Sequence, residues 1–244
     1  MFHLDLTQSL GFQVVAIAET HVHADCVSGA RELDECSAAP IYASRLGDQV
    51  FLHRRDDGEE LPVGRLAVRA HSTPGHCPRL LFNVATGAEP HAPISGDVLF
   101  VGAVGRPDLL GEPSSVGLAR HVYVSGVIRL ASLPNGLIVF PGLGAGSSCG
   151  RSIPSSPTTS IGQARRFSYT LQPHTPDEFV GVVLEHMPTP PTYDPILERV
   201  NRVGPTLLRD RPHGHPLTAT EVNRLSKTGD VLIDARLPRH SPVK

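Results

Sequence analysis

Two imidazoles and a carboxylate fall within five residues in the stretch Glu19-Thr20-His21-Val22-His23-Ala24-Asp25. Nitrogen and oxygen donors at that density suit a borderline divalent metal. In a chain with 13 histidines, two neighbours on the surface are the plainer alternative. Three further segments bring donors to the ends of apolar runs: Ser72-Thr73-Pro74-Gly75-His76, Ser95-Gly96-Asp97 and the loop Pro141-Gly142-Leu143-Gly144. If the strands that carry them belong to layers sharing an edge, His21, His76 and Asp97 can meet around one ion. Two neutral imidazoles and one carboxylate on one face, with the remaining positions open, suit a mononuclear non-haem ferrous centre.

The elements that must position these donors read as an α/β chain. Residues 14–17 form a β-branched run leading into the histidines, and residues 25–36 form a helix behind them. Further strands are expected at 40–43, 66–70, 80–85, 94–100 and 136–140. A helix is expected at 114–133, although the β-branched Val122, Val124, Val127 and Ile128 weigh against it. After a Gly/Ser/Pro stretch at 142–160, helical segments follow at 161–167, 176–186 and 195–203. A Pro-rich linker at 211–216 precedes a short helix at 217–227 and a strand at 231–234. The expected domains are 1–210, a linker at 211–216, and the opening of another domain at 217–244.

Bulk properties narrow the function. At 244 residues the chain can build one substantial domain. A formal net charge of −2 and no basic run argue against nucleic acid as a partner. No run approaches the ~20 apolar residues that span a bilayer, and Met1-Phe2-His3-Leu4-Asp5 lacks the order of a secretion signal, so the expectation is a cytoplasmic protein without a membrane partner. The composition leaves room for a homodimer. The four cysteines, Cys26, Cys36, Cys77 and Cys149, form no CxxC pair and read as free thiols. His71, His91, His213 and His215 read as structural or solvated histidines, and Gly142 to Gly146 as a rim.

The motifs ETHVHADCVSGARELDE (19–35), HSTPGH (71–76), SGDVLFVGAVGRPDLLG (95–111) and VFPGLGAGSSCG (139–150) resemble the metallo-β-lactamase superfamily, and within it the persulfide dioxygenases of rhodanese-fused type. The resemblance implies an αββα sandwich lacking part of the first sheet, with a helical C-terminal flank. It implies one ferrous ion per chain on His21, His76 and Asp97, zinc being the alternative. His23 and Asp25 would take the catalytic supporting role, steering water and the ligating imidazoles, and Arg106 would grip a glutathione carboxylate in a two-pronged fashion. The implied reaction oxygenates glutathione persulfide, or a similar persulfide, to sulfite and thiol, with dioxygen as co-substrate.

Departures from the family pattern keep two other readings open. Cys26 stands where hydrolytic relatives carry a histidine, and Leu143 where their PGHG loop offers another. Both lost positions serve the second metal of binuclear hydrolases, so their loss opposes a zinc hydrolase of the hydroxyacylglutathione hydrolase kind. The surviving HxHxD favours it. A degenerate, non-catalytic paralogue is the third reading. Cys26 itself is expected to be a buried structural thiol without a histidine partner. Ala103 replaces an aspartate common in the family, and the segment 217–236 resembles the opening of a rhodanese domain whose catalytic cysteine loop would lie beyond Lys244. Sulfurtransferase activity is therefore not expected.

Overall fold

The computed structural model describes residues 2–50, 52–75, 80–108, 114–147, 149–151, 153–185, 187, 189–212 and 214–233. The expected ligand His76, together with Cys77, His213 and 234–244, lies outside the described residues. The chain divides into two compact units, 1–207 and 208–244.

In the first unit, helix α1 (Phe2–Ser9) precedes a three-stranded parallel sheet of order β1-β2-β3, made of Ile17–Ala18, Ile41–Ser44 and His53–Arg55. Helix α2 (Ala30–Ser37) covers one face of this sheet through Ala30, which packs with Ile17, Ala39 and Ile41. The second sheet has six strands in sequential order: β4 (Glu60–Val63), β5 (Leu66–Ser72), β6 (Leu80–Thr86), β7 (Glu89–Gly96), β8 (Ile138–Pro141) and β9 (Thr159–Ser160). Its first four strands form antiparallel hairpins, and β7 pairs with β8 in parallel after a helical crossover.

Side-chain alternation along β6 shows how the layers assemble. Leu80 and Phe82 pack with Ala70 and Val68, whereas Leu81 joins Val122, Leu130, Ile161, Phe179 and Val183 from the helices. The first set faces the small sheet across a narrow cleft that Ala18, Tyr42 and Arg55 line opposite Val68, Ala70 and Phe82. The second set sits under α3 (Ser114–His121), α4 (Ile128–Ala131), α5 (Ile161–Phe167) and α6 (Pro176–Leu184). The result is an αββα sandwich, as the motifs imply.

Several expected elements change extent. The strand foreseen at 14–17 shrinks to Ile17–Ala18, because only those residues find a partner in β2. The strand foreseen at 94–100 is β7, Glu89–Gly96, displaced toward the N-terminus: it starts from the tight turn that pairs Thr86 with Glu89. Val98 and Leu99 are apolar because they are buried under the helices, and Phe100 because it packs with Ala103, Cys149 and Ile153, not because they are extended. The helix at 114–131 forms, with a π-helical segment at Val122–Val127 where the valines cluster. Capping boxes, Ser160 with Gln163 and Thr175 with Glu178, start α5 and α6.

The second unit contains a 3₁₀ turn, Leu208–Asp210, and helix α8 (Ala219–Lys227), which a capping box between Thr218 and Glu221 opens. The strand expected at 231–234 is absent over its described part: Val231, Leu232 and Ile233 are 71% to 86% exposed and have no neighbouring strand among the described residues. An extended run without a pairing partner leaves its backbone to water. Among the described residues no helix is long and apolar enough to cross a membrane.

Candidate metal centre

The donors gather where three strand ends converge. Thr20, just past β1, accepts a hydrogen bond at its carbonyl from the Leu80 amide (2.7 Å) at the start of β6, which ties the two sheets together beside His21. Gly96 closes β7 with φ of +52°, and a Cβ there would lie 2.6 Å from Thr20 Oγ1. Gly142, after β8, donates its amide to Gly96 O (2.9 Å), and its Cβ position lies 3.2 Å from Asp97 Oδ1. Gly96 lets main chain run against Thr20 at a distance that a side chain would block, and at Gly142 a Cβ would crowd Asp97. Replacing Gly96 with alanine combines that clash with left-handed backbone strain. It is expected to lower stability by about 2–3 kcal/mol and to displace Thr20, read as a shift of the urea midpoint and weaker metal retention.

Within this frame His21 and Asp97 are buried, with His21 Nε2 3.4 Å from Asp97 Oδ2. Thr20 Oγ1 lies in hydrogen-bond contact with His21 Nδ1 (2.9 Å), which fixes the ring and leaves Nε2 toward the carboxylate. The rings of His21 and His23 are tilted at 46° with centroids 4.4 Å apart. His23 Nδ1 faces Asp25 Oδ1 at 3.5 Å; both atoms are buried, and neither makes a hydrogen bond among the described residues. His21, His23, Asp25 and Asp97 are therefore brought together.

The electrostatics follow from that crowding. Burial works against the His23 imidazolium, but Asp25, Asp97 and Glu19 outweigh it and hold its pKa above the ordinary value. The His23 contact holds the Asp25 carboxyl below its usual range, against opposing burial. Burial, with the nearby carboxylates of Asp25, Glu19 and Asp97, pushes the Cys26 thiol up to about 11, so it stays protonated near neutral pH and is no nucleophile.

Cys26 corrects the sequence reading twice. The residue is exposed with its thiol only about half covered, rather than buried, and it does have a histidine neighbour: donor atoms of His23, Asp25 and Cys26 lie within 4.8 Å of one another. Leu143 packs instead against the apolar cluster of Phe100, Ala103, Cys149 and Ile153. Ala103, fully buried in that cluster, sits where a carboxylate would lack water. His91 bonds Thr86 Oγ1 (2.8 Å) in a structural role.

Arg106 is 1% exposed. Its Nε and Nη2 donate to Oδ1 and Oδ2 of Asp108, each at 2.8 Å, so the two-pronged grip expected for a substrate carboxylate is made to an internal one. The Arg106 amide donates to Cys149 O (2.9 Å), and Gly105 bridges Gly150, which joins the GRPD and GSSCG loops.

Three buried groups that support the site escaped the sequence reading. Asn201 of α7 (Asp194–Val203) donates from Nδ2 to His23 O (2.8 Å) and Cys26 O (2.7 Å), and its Oδ1 accepts from the Ser28 amide (2.9 Å). Glu19 accepts from Ser28 Oγ and from Gln49 Nε2 (2.9 Å). Asp194 is buried with Oδ1 unpartnered, and burial, then Asp25, raise its pKa while Arg106 opposes. Asn201 lies in the run Val200 to Pro205, which shares in the family resemblance without assigning it a role. Glu19 carried a signal in its place beside HxHxD.

No protein-family model matches the chain. An uncharacterized protein of Mycobacterium tuberculosis is 33% identical over 186 residues, covering 64% of this chain and 75% of that protein. The crystal structure of a metallo-β-lactamase from Staphylococcus aureus superposes with a TM-score of 0.78 at 26% identity, over 87% of this chain and 64% of that one. The chain belongs to the metallo-β-lactamase superfamily. Persulfide dioxygenase ETHE1 of Homo sapiens is 29% identical over 138 residues, 56% of this chain. The chain spans about half the length, 51%, of the curated persulfide dioxygenases it matches. For this superfamily member, kinship to metalloenzymes and the orphaned His23 and Asp25 atoms beside His21 and Asp97 together imply a metal-binding site.

Proposed function

We propose that the chain is an iron-dependent dioxygenase that converts a low-molecular-weight persulfide to sulfite and the free thiol. The observation that carries this reading is the buried pairing of His21 with Asp97, while Leu143 points its carbon skeleton into an apolar cluster where a second-metal donor would stand in a hydrolase. The resemblance of half the chain to persulfide dioxygenases supports the same choice. His21, His76 and Asp97 would hold the ion. Ferrous iron so held would supply the redox chemistry that lets dioxygen react with the persulfide sulfur.

The chain's own groups do the rest. Thr20 orients the His21 ring, and Asn201 fixes the carbonyls of His23 and Cys26, so the donors keep their places between turnovers. His23, whose imidazolium is favoured by Asp25, Asp97 and Glu19, lies beside the cluster as a group that can give a proton to the departing thiolate. Overall the persulfide, dioxygen and one water become thiol, sulfite and two protons, the sulfane sulfur giving four electrons to dioxygen.

The neighbouring donors His23, Asp25 and Cys26 favour a second reading, a two-metal zinc hydrolase. Anaerobic purification, iron and zinc analysis per chain, and oxygen uptake with both glutathione persulfide and an alkyl persulfide separate the two. Near one iron per chain with persulfide-dependent uptake and sulfite release is expected; two zinc ions with thioester hydrolysis and no uptake would replace the dioxygenase. Leu143→His is expected to leave oxygen uptake and metal content unchanged. A large gain of thioester hydrolysis there would identify a crippled hydrolase.

A further inference from the structure

A cavity of about 410 Å³ lies between α1, β1 and α2, within the size range of small-molecule sites. Its walls are Leu4 of α1, Ile17 and Ala18 of β1, and Ala30 and Leu33 of α2. At one end it reaches His23 and Gly142, the same residues that border the donor cluster: His23 stacks near His21, and Gly142 abuts Asp97. The cavity is thus continuous with the metal centre. Among its described lining residues there is no lysine or arginine, and the carboxylate present, Glu19, is bonded to Ser28 and Gln49. Glutathione carries two carboxylates. Along the stretch between Leu4, Ile17, Ala18, Ala30 and Leu33 they would meet apolar walls, the polar exceptions being His3, Glu19, Thr20, His23 and Ser28, while Arg106 holds Asp108.

We propose that this cavity receives an unbranched aliphatic chain, so that the substrate class is an alkyl or acyl-chain persulfide rather than glutathione persulfide. The persulfide headgroup rests on the function proposed above; the chain site rests on the cavity alone. Burial of each methylene against these walls should strengthen binding about fourfold.

Calorimetric titration of the anaerobic, reduced full chain with butane-, hexane- and octanethiol, and with glutathione, tests this. Affinity is expected to climb with chain length, with octanethiol binding at least about tenfold more tightly than glutathione. Gly29 lines the cavity with φ of −89° and open space where a Cβ would stand, so Gly29→Phe should fill the cavity without strain and cut octanethiol affinity about tenfold or more. Leu4→Asp, at a half-buried helical position, should do the same by putting a charge in the wall. Affinity independent of chain length, glutathione binding most tightly, or a folded Gly29→Phe protein with unchanged octanethiol affinity would overturn the proposal. Chain-length dependence without oxygen uptake would sink only the dioxygenase reading; oxygen uptake with a flat series would sink only the aliphatic site.

Discussion

Asp97→Asn is expected to strip the protein of its metal while leaving the fold intact. The substitution is nearly isosteric at a side chain 1% exposed, so packing changes little. What changes is charge. Asp97 raises the pKa of both His23 and Asp25, which marks it as a source of negative potential across the cluster. Removing that charge weakens attraction for a cation and relieves repulsion of Asp25. In the metal-free state the variant should unfold at the same denaturant concentration as the parent, or slightly higher. Iron at a hundredfold excess over its dissociation constant should stabilise the parent by about 2.7 kcal/mol and the variant hardly at all. Metal analysis after desalting, paired with urea unfolding with and without ferrous ion, makes the comparison. Retention of stoichiometric metal by the variant would remove Asp97 from the ligand set.

Asn201→Ala should have the largest effect on stability of any change outside the donors themselves. The amide side chain, 1% exposed, satisfies two carbonyls and one N–H of the loop that carries His23 and Cys26. Alanine takes the partner from all three, around a side chain that is itself 1% exposed. Each such loss costs about 1–3 kcal/mol, and with partial relaxation a total near 3 kcal/mol is expected. Because the loop holds the donors, metal affinity should also fall about 10–100-fold. Asn201→Asp tests the geometry further: it keeps an acceptor for Ser28 but sets a negative charge against two carbonyl oxygens, so it should rescue neither stability nor metal affinity. Urea midpoints and chelator competition report the two quantities separately. Parent-like values in both would mean that the loop is held by other contacts.

Legibility in the sequence followed the range of the interactions. Helices α5 and α6 announce themselves through Ser160 with Gln163 and Thr175 with Glu178, because capping is local. The donors His21, His23, Asp25 and Asp97 were visible because they bunch at the ends of apolar runs. The extent of β7 was misjudged because Val98 to Phe100 and a strand interior look alike: burial makes both apolar, and only the pairing of Thr86 with Glu89 decides. Strand β1 was too long in the reading because its β-branched run has a propensity to extend that only two residues realise against β2. Asn201 stands in the run Val200 to Pro205, which shares in the family resemblance, but the run does not show its role. Its meaning resides in contacts with residues about 175 positions earlier, and a helix sequence gives no sign of them.

That long span sets a timetable. During synthesis the carbonyls of His23 and Cys26 wait for a side chain 175 residues downstream of Cys26. At ordinary rates of synthesis that interval is roughly 10–35 s. The candidate metal-binding loop is made about 175 residues before the side chain that sets it, so through that interval its histidines lack a rigid cage. Closure of the cage by α7 then links tight metal capture to completion of the domain's final helix.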